Sequence, residues 1–499
     1  MKNIAAFALA LCLCTVALSA QALDTKGILA IIAGLEAVAA RLGLAAVDPP
    51  PLSSPPPPAG VTDAAGLTAA LVEGGEIRLT PGTYAGNFVV TAPTTLTCAG
   101  VVLPTGRVAP SDVSACRIVA LDPLKPFVTI LSSSVRIQGL TMTGVAPDRT
   151  GLEIGSLTAT DARTQPNEVI IDQNAILGAN GLGHRGLALH GTNVTITRNH
   201  IAGWLERGRE SQAVWLLNGA GPYTIVDNYL EASGENLMAG GDDPRIVGQV
   251  PSDIHIARNR FAKPLSWRRI LNADGSVAQA GEPGSVKNLL EVKCGQRIII
   301  EDNEFDGAWK DMQDGHAVLL TPRNSYGRAP WCVVQDVTIR RNRFTNLYDG
   351  MFVQLLGISD NRKPTGRTRN IVIEGNYADG PKGFIVNKAV EGLTIRRNTL
   401  PRITRNLFQF TGTDTIKTTL VVVENVFSSG VWGATGDGTT PGKPTLDAWV
   451  PGYTWTGNVL ERTAARSITW PRGTQLLAPG ALAPLLDANG HYVPGGAGW

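Results

Sequence analysis

Lys293, in Leu289-Leu-Glu-Val-Lys-Cys-Gly, and Arg323, in Thr321-Pro-Arg, carry the most specific candidate chemistry in the chain. Removing a proton next to a carboxyl group and expelling the neighbouring glycosidic oxygen takes a base. It also takes positive charge, or a metal, to hold the enolate-like anion. Lys293 and Arg323 could supply both; in the structural alternative Lys293 pairs with Glu291 and Arg323 caps a turn. A second set is acidic: Asp242 and Asp243 in Ala239-Gly-Gly-Asp-Asp-Pro, with Glu291, Asp311 and Asp314. Paired carboxylates can hydrolyse a glycoside or hold Ca²⁺ through oxygen, although Gly-Gly-Asp-Asp-Pro is also a turn-forming string. His316, in Asp314-Gly-His-Ala, is a candidate proton shuttle or a structural histidine. Trp204, Trp215, Trp267, Trp309, Tyr326 and Trp331 fall in or near long connections. There they could stack on sugar rings or plug loops onto the body. No Walker, Rossmann, Ser-His-Asp or H-E-x-x-H motif offers another chemistry.

The elements that must position these groups show themselves as a repeat. Val169-Ile-Ile-Asp-Gln-Asn174, Val194-Thr-Ile-Thr-Arg-Asn199, Ile298-Ile-Ile-Glu-Asp-Asn303, Val337-Thr-Ile-Arg-Arg-Asn342 and Leu393-Thr-Ile-Arg-Arg-Asn398 share one form with four further segments. Their asparagines, from Asn174 to Asn425, follow one another at 25, 29, 31, 44, 39, 34, 22 and 27 residues, and Asn458 is placed to close the series. Alternating apolar residues give a short strand, and the asparagine ends it at a fixed place. A phenylalanine follows two positions later in several repeats, as at Phe261, Phe305 and Phe344. Such units cannot bury their apolar faces alone, so they stack as coils of a parallel solenoid, with insertions looping out from one edge. The gaps lack amphipathic helices, which disfavours a doubly wound α/β fold.

Over residues 76–465 the chain resembles the right-handed parallel β-helix superfamily typified by pectate lyase, through its Pro81-Gly-Thr-Tyr84 opening and the apolar-x-Ile-x-x-Asn repeat. The resemblance implies an all-β solenoid with a short helical N-terminal cap; Asp63 to Val72 reads as that helix. It also implies a substrate groove on one sheet, flanked by long loops. The fold hosts lyases, hydrolases, esterases, epimerases and adhesins, so it does not name an activity. In the superfamily's coil order the strand before each repeat lines the groove. Here these strands include Val214-Trp-Leu-Leu-Asn218, Leu289-Leu-Glu-Val-Lys293, His316-Ala-Val-Leu-Leu-Thr321, Phe352-Val-Gln-Leu-Leu356, Phe384-Ile-Val-Asn387 and Phe408-Gln-Phe410. Alternation then turns Leu290 and Val292 inward and Glu291 and Lys293 outward. It also leaves Asn218, Glu291, Gln354, Asn387 and Gln409 as a stripe suited to sugar hydroxyls, with Trp215, Trp267 and Trp331 as stacking partners. The insertions 260–287 and 324–335 flank the Lys293 coil, where a rigid scaffold concentrates sites.

Leu289-Leu-Glu-Val-Lys-Cys-Gly is also loosely similar to the lysine-bearing coil of the chondroitinase B and alginate lyase family. That resemblance implies a lysine base followed by an arginine one coil later. The family's paired acidic calcium ligands ahead of the lysine are not reproduced, since only Glu291 remains. The Asn-Thr-Asp and Gly-His-Gly set of the polygalacturonase branch is absent. Cys294 and Cys332 lie just ahead of repeat strands on consecutive coils. Coils stack about 4.8 Å apart, a spacing that suits a disulfide. Cys98–Cys116 is expected as a second bond, the alternative being buried free thiols.

The N-terminus reads as an export signal over residues 1–22: Lys2, an apolar run from Ile4 to Leu18, and Ala20-Gln21-Ala22 as a cleavage site. The alternative is a buried N-terminal helix. Cys12 and Cys14 leave with the signal, and the four remaining cysteines suit a secreted or periplasmic location. Residues 23–47 follow as a short amphipathic helix that could serve surface attachment or oligomerisation. Residues 48–60 form a stiff proline-rich linker, 61–465 the solenoid and 466–499 a tail or cap. The 499 residues include 56 glycines and 32 prolines with 17% charged positions, a turn-rich composition that excludes coiled coil, collagen, disorder and a polytopic membrane protein. A net charge of +2 offers no field for nucleic acid. After cleavage no segment reads as transmembrane. The expected partner is a polysaccharide, bound and most simply cleaved by elimination. A glycoside hydrolase and a non-catalytic glycan-binding surface protein are the alternatives. The motifs demand no cofactor, and Ca²⁺ is the one candidate.

Overall fold

A computed structural model describes residues 60–490 apart from 180, 207, 282–284 and 360. The export signal, the helix at 23–47 and almost all of the proline linker therefore lie outside the described residues, as do 491–499. Three long parallel sheets of 13, 14 and 12 strands wind through the body, and successive coils add one strand to each. The architecture is a right-handed parallel β-helix. The repeat strands form the first sheet, with Ile254 opposite Ile298, Ile298 opposite Val337 and Val337 opposite Ile371. The second sheet follows each asparagine and runs on past residue 465 to a last strand at Gln475–Leu477. The third sheet carries the strands expected to line a groove, including Gln212–Leu216, Leu290–Val292, His316–Leu320 and Met351–Leu356. Among the described residues no helix is long and apolar enough to cross a membrane.

The corner between the first two sheets explains the asparagines. The residue before each one, from Gln173 to Gly457, is left-handed, with φ between 52° and 66°. A non-glycine residue there costs roughly 1 kcal/mol. The asparagine offsets this by satisfying the corner's backbone. From Asn174 to Asn425, each Asn N–H donates to the Oδ1 of the next asparagine at 2.8–3.1 Å. The amide nitrogens point back to the preceding coil, as in Asn303 Nδ2 to Ile256 O at 2.9 Å. Asn458 completes this buried ladder. Beside it Phe261, Phe305 and Phe344 stack with centroids 4.3 and 4.4 Å apart. One apolar column fills the solenoid from Leu67 to Trp470.

Helix α1, Ala64–Glu73, closes the N-terminal end; Asp63 caps it by accepting from Gly66 N, and Leu67 and Leu71 face the column. Cys98–Cys116 and Cys294–Cys332 are bonded, with Cα atoms 5.8 and 4.9 Å apart.

Candidate functional site

The third sheet turns Leu290 and Val292 into the core and Glu291 outward, with Lys293 just past the strand. Met238, Glu291, Leu319, Gln354, Ile385 and Gln409 stand opposite one another on successive coils. The outward row is thus polar at Glu291, Gln354 and Gln409 but broken by Leu319 and Ile385. Asn387 lies two positions along, opposite Leu356. Over the middle of this sheet opens a pocket of about 750 Å³ lined by Glu291, Lys293, His316, Arg323 and Gln354. With Asp314 and Tyr326, seven of the residues singled out in the sequence therefore share one cavity. Lys287, Glu210, Lys310 and Ser325 also line it.

Backbone pairing holds the two cations on adjacent coils: Lys293 N donates to Ala239 O, and Arg323 N donates to Lys293 O at 2.8 Å. Lys293 Nζ lies 3.1 Å from Glu291 Oε1. Glu291 is 2% exposed. Burial, opposed by the Lys293 charge, pushes its carboxyl up to about 7, and it shares a hydrogen bond with the Glu235 carboxyl. Glu235 is fully buried; desolvation would raise it too, but Lys287 and Lys293 outweigh that and hold it down at about 2. Two carboxyls in contact cannot both ionise freely, and here their environments push them apart. Burial lowers Lys293, yet Glu291 and Glu235 leave it raised overall. His316 N donates to Asn288 Oδ1 at 2.9 Å. Its buried Nδ1 has no hydrogen-bond partner, and burial lowers the ring to about 4, so it is neutral.

The remaining predicted residues hold the walls. Asn218 is fully buried: its Nδ2 donates to the carbonyls of Ser156, Leu157 and Ala159, and its Oδ1 accepts from Arg245 and Ile246. With both ends of the amide engaged it anchors loops and has nothing left for a sugar. Asp243 is likewise buried, accepting from the backbones of Ser325, Tyr326 and Arg328 at 2.6, 3.0 and 3.0 Å. That carboxylate seats the 324–328 loop beside the pocket, and Asp242 Oδ1 accepts from Asp243 N at 2.7 Å. The glycines ahead of them permit close approach, because a Cβ on Gly240 (φ 89°) would come within 2.6 Å of Cys294 N. Among the described residues no group of three His, Cys, Asp or Glu could hold a metal.

Trp204, at the end of a strand, and Trp309, just past one, are both buried, and Trp204 donates to Ile176 O inside the solenoid. Trp215 lies on the groove sheet, 2% exposed, with the Arg185 guanidinium 3.8 Å above its ring and its Nε1 donating to Gly240 O. Trp331 donates to Gln249 O and packs on the Cys294–Cys332 bond. Trp267 sits in a half-buried turn outside the cavity. Tyr326 is the exposed aromatic at the rim. Asp314 lines the opposite wall near Lys310 Nζ, at 3.6 Å, while Asp311 accepts from Val286 N.

Sequence reasoning missed Glu210, Glu235 and Lys287. Lys287 Nζ contacts Glu210 Oε1 and Glu235 Oε1, the latter at 2.8 Å, and Gln212 Nε2 donates to Glu235 Oε2 at 2.8 Å. These residues sit at or before the starts of groove strands, outside the alternating frame used to read them. Charged residues immediately ahead of a buried strand were the available signal.

No family model matches the chain, and no curated relative matches it by sequence. Among solved structures it is similar to a mannuronic acid-specific polysaccharide family 6 lyase from the human gut microbiota. Identity is 13%, 85% of this chain and 93% of that one are covered, and the TM-score is 0.44. A GH87 α-1,3-glucanase catalytic unit from Streptomyces thermodiastaticus aligns at 11% identity over 85% and 70%, with TM-score 0.48. The A-module of a mannuronan C-5 epimerase from Azotobacter vinelandii aligns at 13% over 80% and 96%, with TM-score 0.41. The likeness is one of fold. Overlaps this loose assign no reaction, and the residues of the groove must carry any functional reading.

Proposed function

We propose that the chain is an exported protein that binds an acidic polysaccharide along the third sheet and cleaves it by β-elimination at the Lys293–Arg323 pocket. The observation that carries this reading is the placing of Lys293 and Arg323 on consecutive coils of one cavity, with a proton acceptor for Lys293 built in. A lysine base must be neutral, and the resting Lys293 holds its proton. Glu291, 3.1 Å away with its carboxyl raised to about 7, can receive it when a bound glycan displaces water. Neutral Lys293 then takes the proton next to the sugar's carboxyl. The electron pair forms a carbon–carbon double bond as the glycosidic bond breaks, and the leaving oxygen takes a proton from water. One C–O bond is lost, and one C=C bond and one hydroxyl are gained. Arg323 would pair with the carboxyl group on which the negative charge grows. The signal at 1–22 and the two disulfides fit export.

Hydrolysis by Glu235 and Glu291 fits less well. Hydrogen-bonded carboxyls lie closer than the roughly 5 Å separation of a retaining pair, and Glu235 is fully buried behind Glu291 rather than lining the cavity. The deciding experiment incubates the mature protein with panels of acidic and neutral polysaccharides. Unsaturated uronate absorbance and new reducing ends are followed together. Elimination raises both, hydrolysis raises only reducing ends, and a pure binder raises neither.

A further inference from the structure

Lys287 is the least expected residue in the groove. Its side chain is 2% exposed, yet it lines the catalytic cavity and carries a charge that water would hold far more cheaply. Its backbone N–H donates to Ser233 O at 3.1 Å, which fixes where the side chain starts. The ammonium ends between Glu210 and Glu235, with Glu291 hydrogen-bonded to Glu235 alongside. Three carboxyl groups from three different coils gather around this ammonium, and as they are placed they form no group that could hold a metal ion. Here the centre of that set is filled by the chain itself. Ahead of Lys293 the sequence reads Val286-Lys287-Asn288-Leu289-Leu290-Glu291, so the paired acidic calcium ligands of the lyase family it locally resembles are not reproduced and only Glu291 remains. Asn288 is also committed, with Oδ1 on His316 N and Nδ2 3.3 Å from Glu291 Oε2. The residues present do not fit Ca²⁺.

We propose that Lys287 is the groove's resident cation: its ammonium occupies the place of a divalent metal, so the pocket takes no Ca²⁺ and meets the carboxylate of an acidic sugar with fixed lysine charge. The second half of this statement rests on the proposed elimination reaction; the first does not. Removing the ammonium should leave Glu210, Glu235 and Glu291 without an internal cation and convert the cluster into a cation site.

The test counts Ca²⁺ bound per full-length mature chain by equilibrium dialysis, for the wild type, Lys287→Ser and Lys287→Gln. Melting is measured in parallel with EDTA and with millimolar Ca²⁺. The expected result is one more Ca²⁺ on a lysine variant than on the wild type, with its melting temperature lowered in EDTA and recovered by Ca²⁺. Equal Ca²⁺ counts would overturn the proposal. Should neither lysine variant fold, the wild type is compared with Glu210→Gln, whose side chain is partly exposed. An unchanged Ca²⁺ count then supports the proposal, and a lost Ca²⁺ overturns it. None of these readouts needs turnover, so failure of the elimination reading and failure of the resident-cation reading are seen separately.

Discussion

Glu291, on the outward side of a groove strand, and Lys293, just past that strand's end, form a buried ion pair with Oε1 and Nζ 3.1 Å apart. Glu291 is the largest cause holding the Lys293 ammonium up against burial. Glu291→Gln should therefore lower the Lys293 pKa and move the rising, alkaline limb of the pH–rate profile to lower pH. A profile of kcat/KM against pH superimposable on that of the wild type would remove Glu291 from the proton path.

Lys293→Ala and Arg323→Ala should each cut kcat on an acidic glycan by about 10²–10⁴-fold. Circular dichroism should stay unchanged, since both side chains sit on the groove face of an intact core. Turnover surviving in both variants would move the chemistry elsewhere.

The asparagine ladder should be as sensitive as a hydrophobic core. Asn303 sits in the middle and accepts from Asn259 while donating to Ile256 O and Asn342 Oδ1. Asn303→Ala leaves several buried groups unpaired, at about 1–3 kcal/mol each. Urea unfolding should show the loss, whereas Glu304→Ala, exposed one position later, should change stability little. Equal effects would mean that the ladder is incidental.

His316 also makes stability depend on pH. Burial lowers its folded pKa to about 4, against about 6.5 in the unfolded chain. Between these values the unfolded state binds a proton that the native state refuses. The contribution is therefore whole above pH 6.5 and falls away as the pH drops towards 4. Over that range the melting temperature of His316→Gln should decline less than that of the wild type. Parallel declines would show that the ring is already charged in the fold.

The solenoid was legible because its repeats state both ends of a strand. In Ile298-Ile-Ile-Glu-Asp-Asn303 the alternation marks the inward face and the asparagine marks the corner. The same frame placed Glu291, Lys293, His316 and Arg323 along one groove, on or just past strands of one sheet, and coil spacing paired Cys294 with Cys332. What it could not show was depth. Asn218 and Asp243 have the types and positions of groove residues, but loop backbones claim their polar atoms. Trp204 falls in a sequence that reads as a connection, yet its ring is inside. Glu235 and Lys287 were invisible for a related reason. Their partners lie on other coils, 23 to 77 residues away, and only folding brings those charges together.

The ladder has a consequence for how such a chain can change. Each rung asks only for an asparagine at the end of a strand and is indifferent to whether the next arrives 22 or 44 residues later. Segments between rungs can lengthen, shorten or be exchanged while the rungs stay in step. The 324–328 loop held by Asp243 and the insertion before Lys287 are such exchangeable parts. Selection can remodel what the groove grips one coil at a time, without renegotiating the stability of its neighbours.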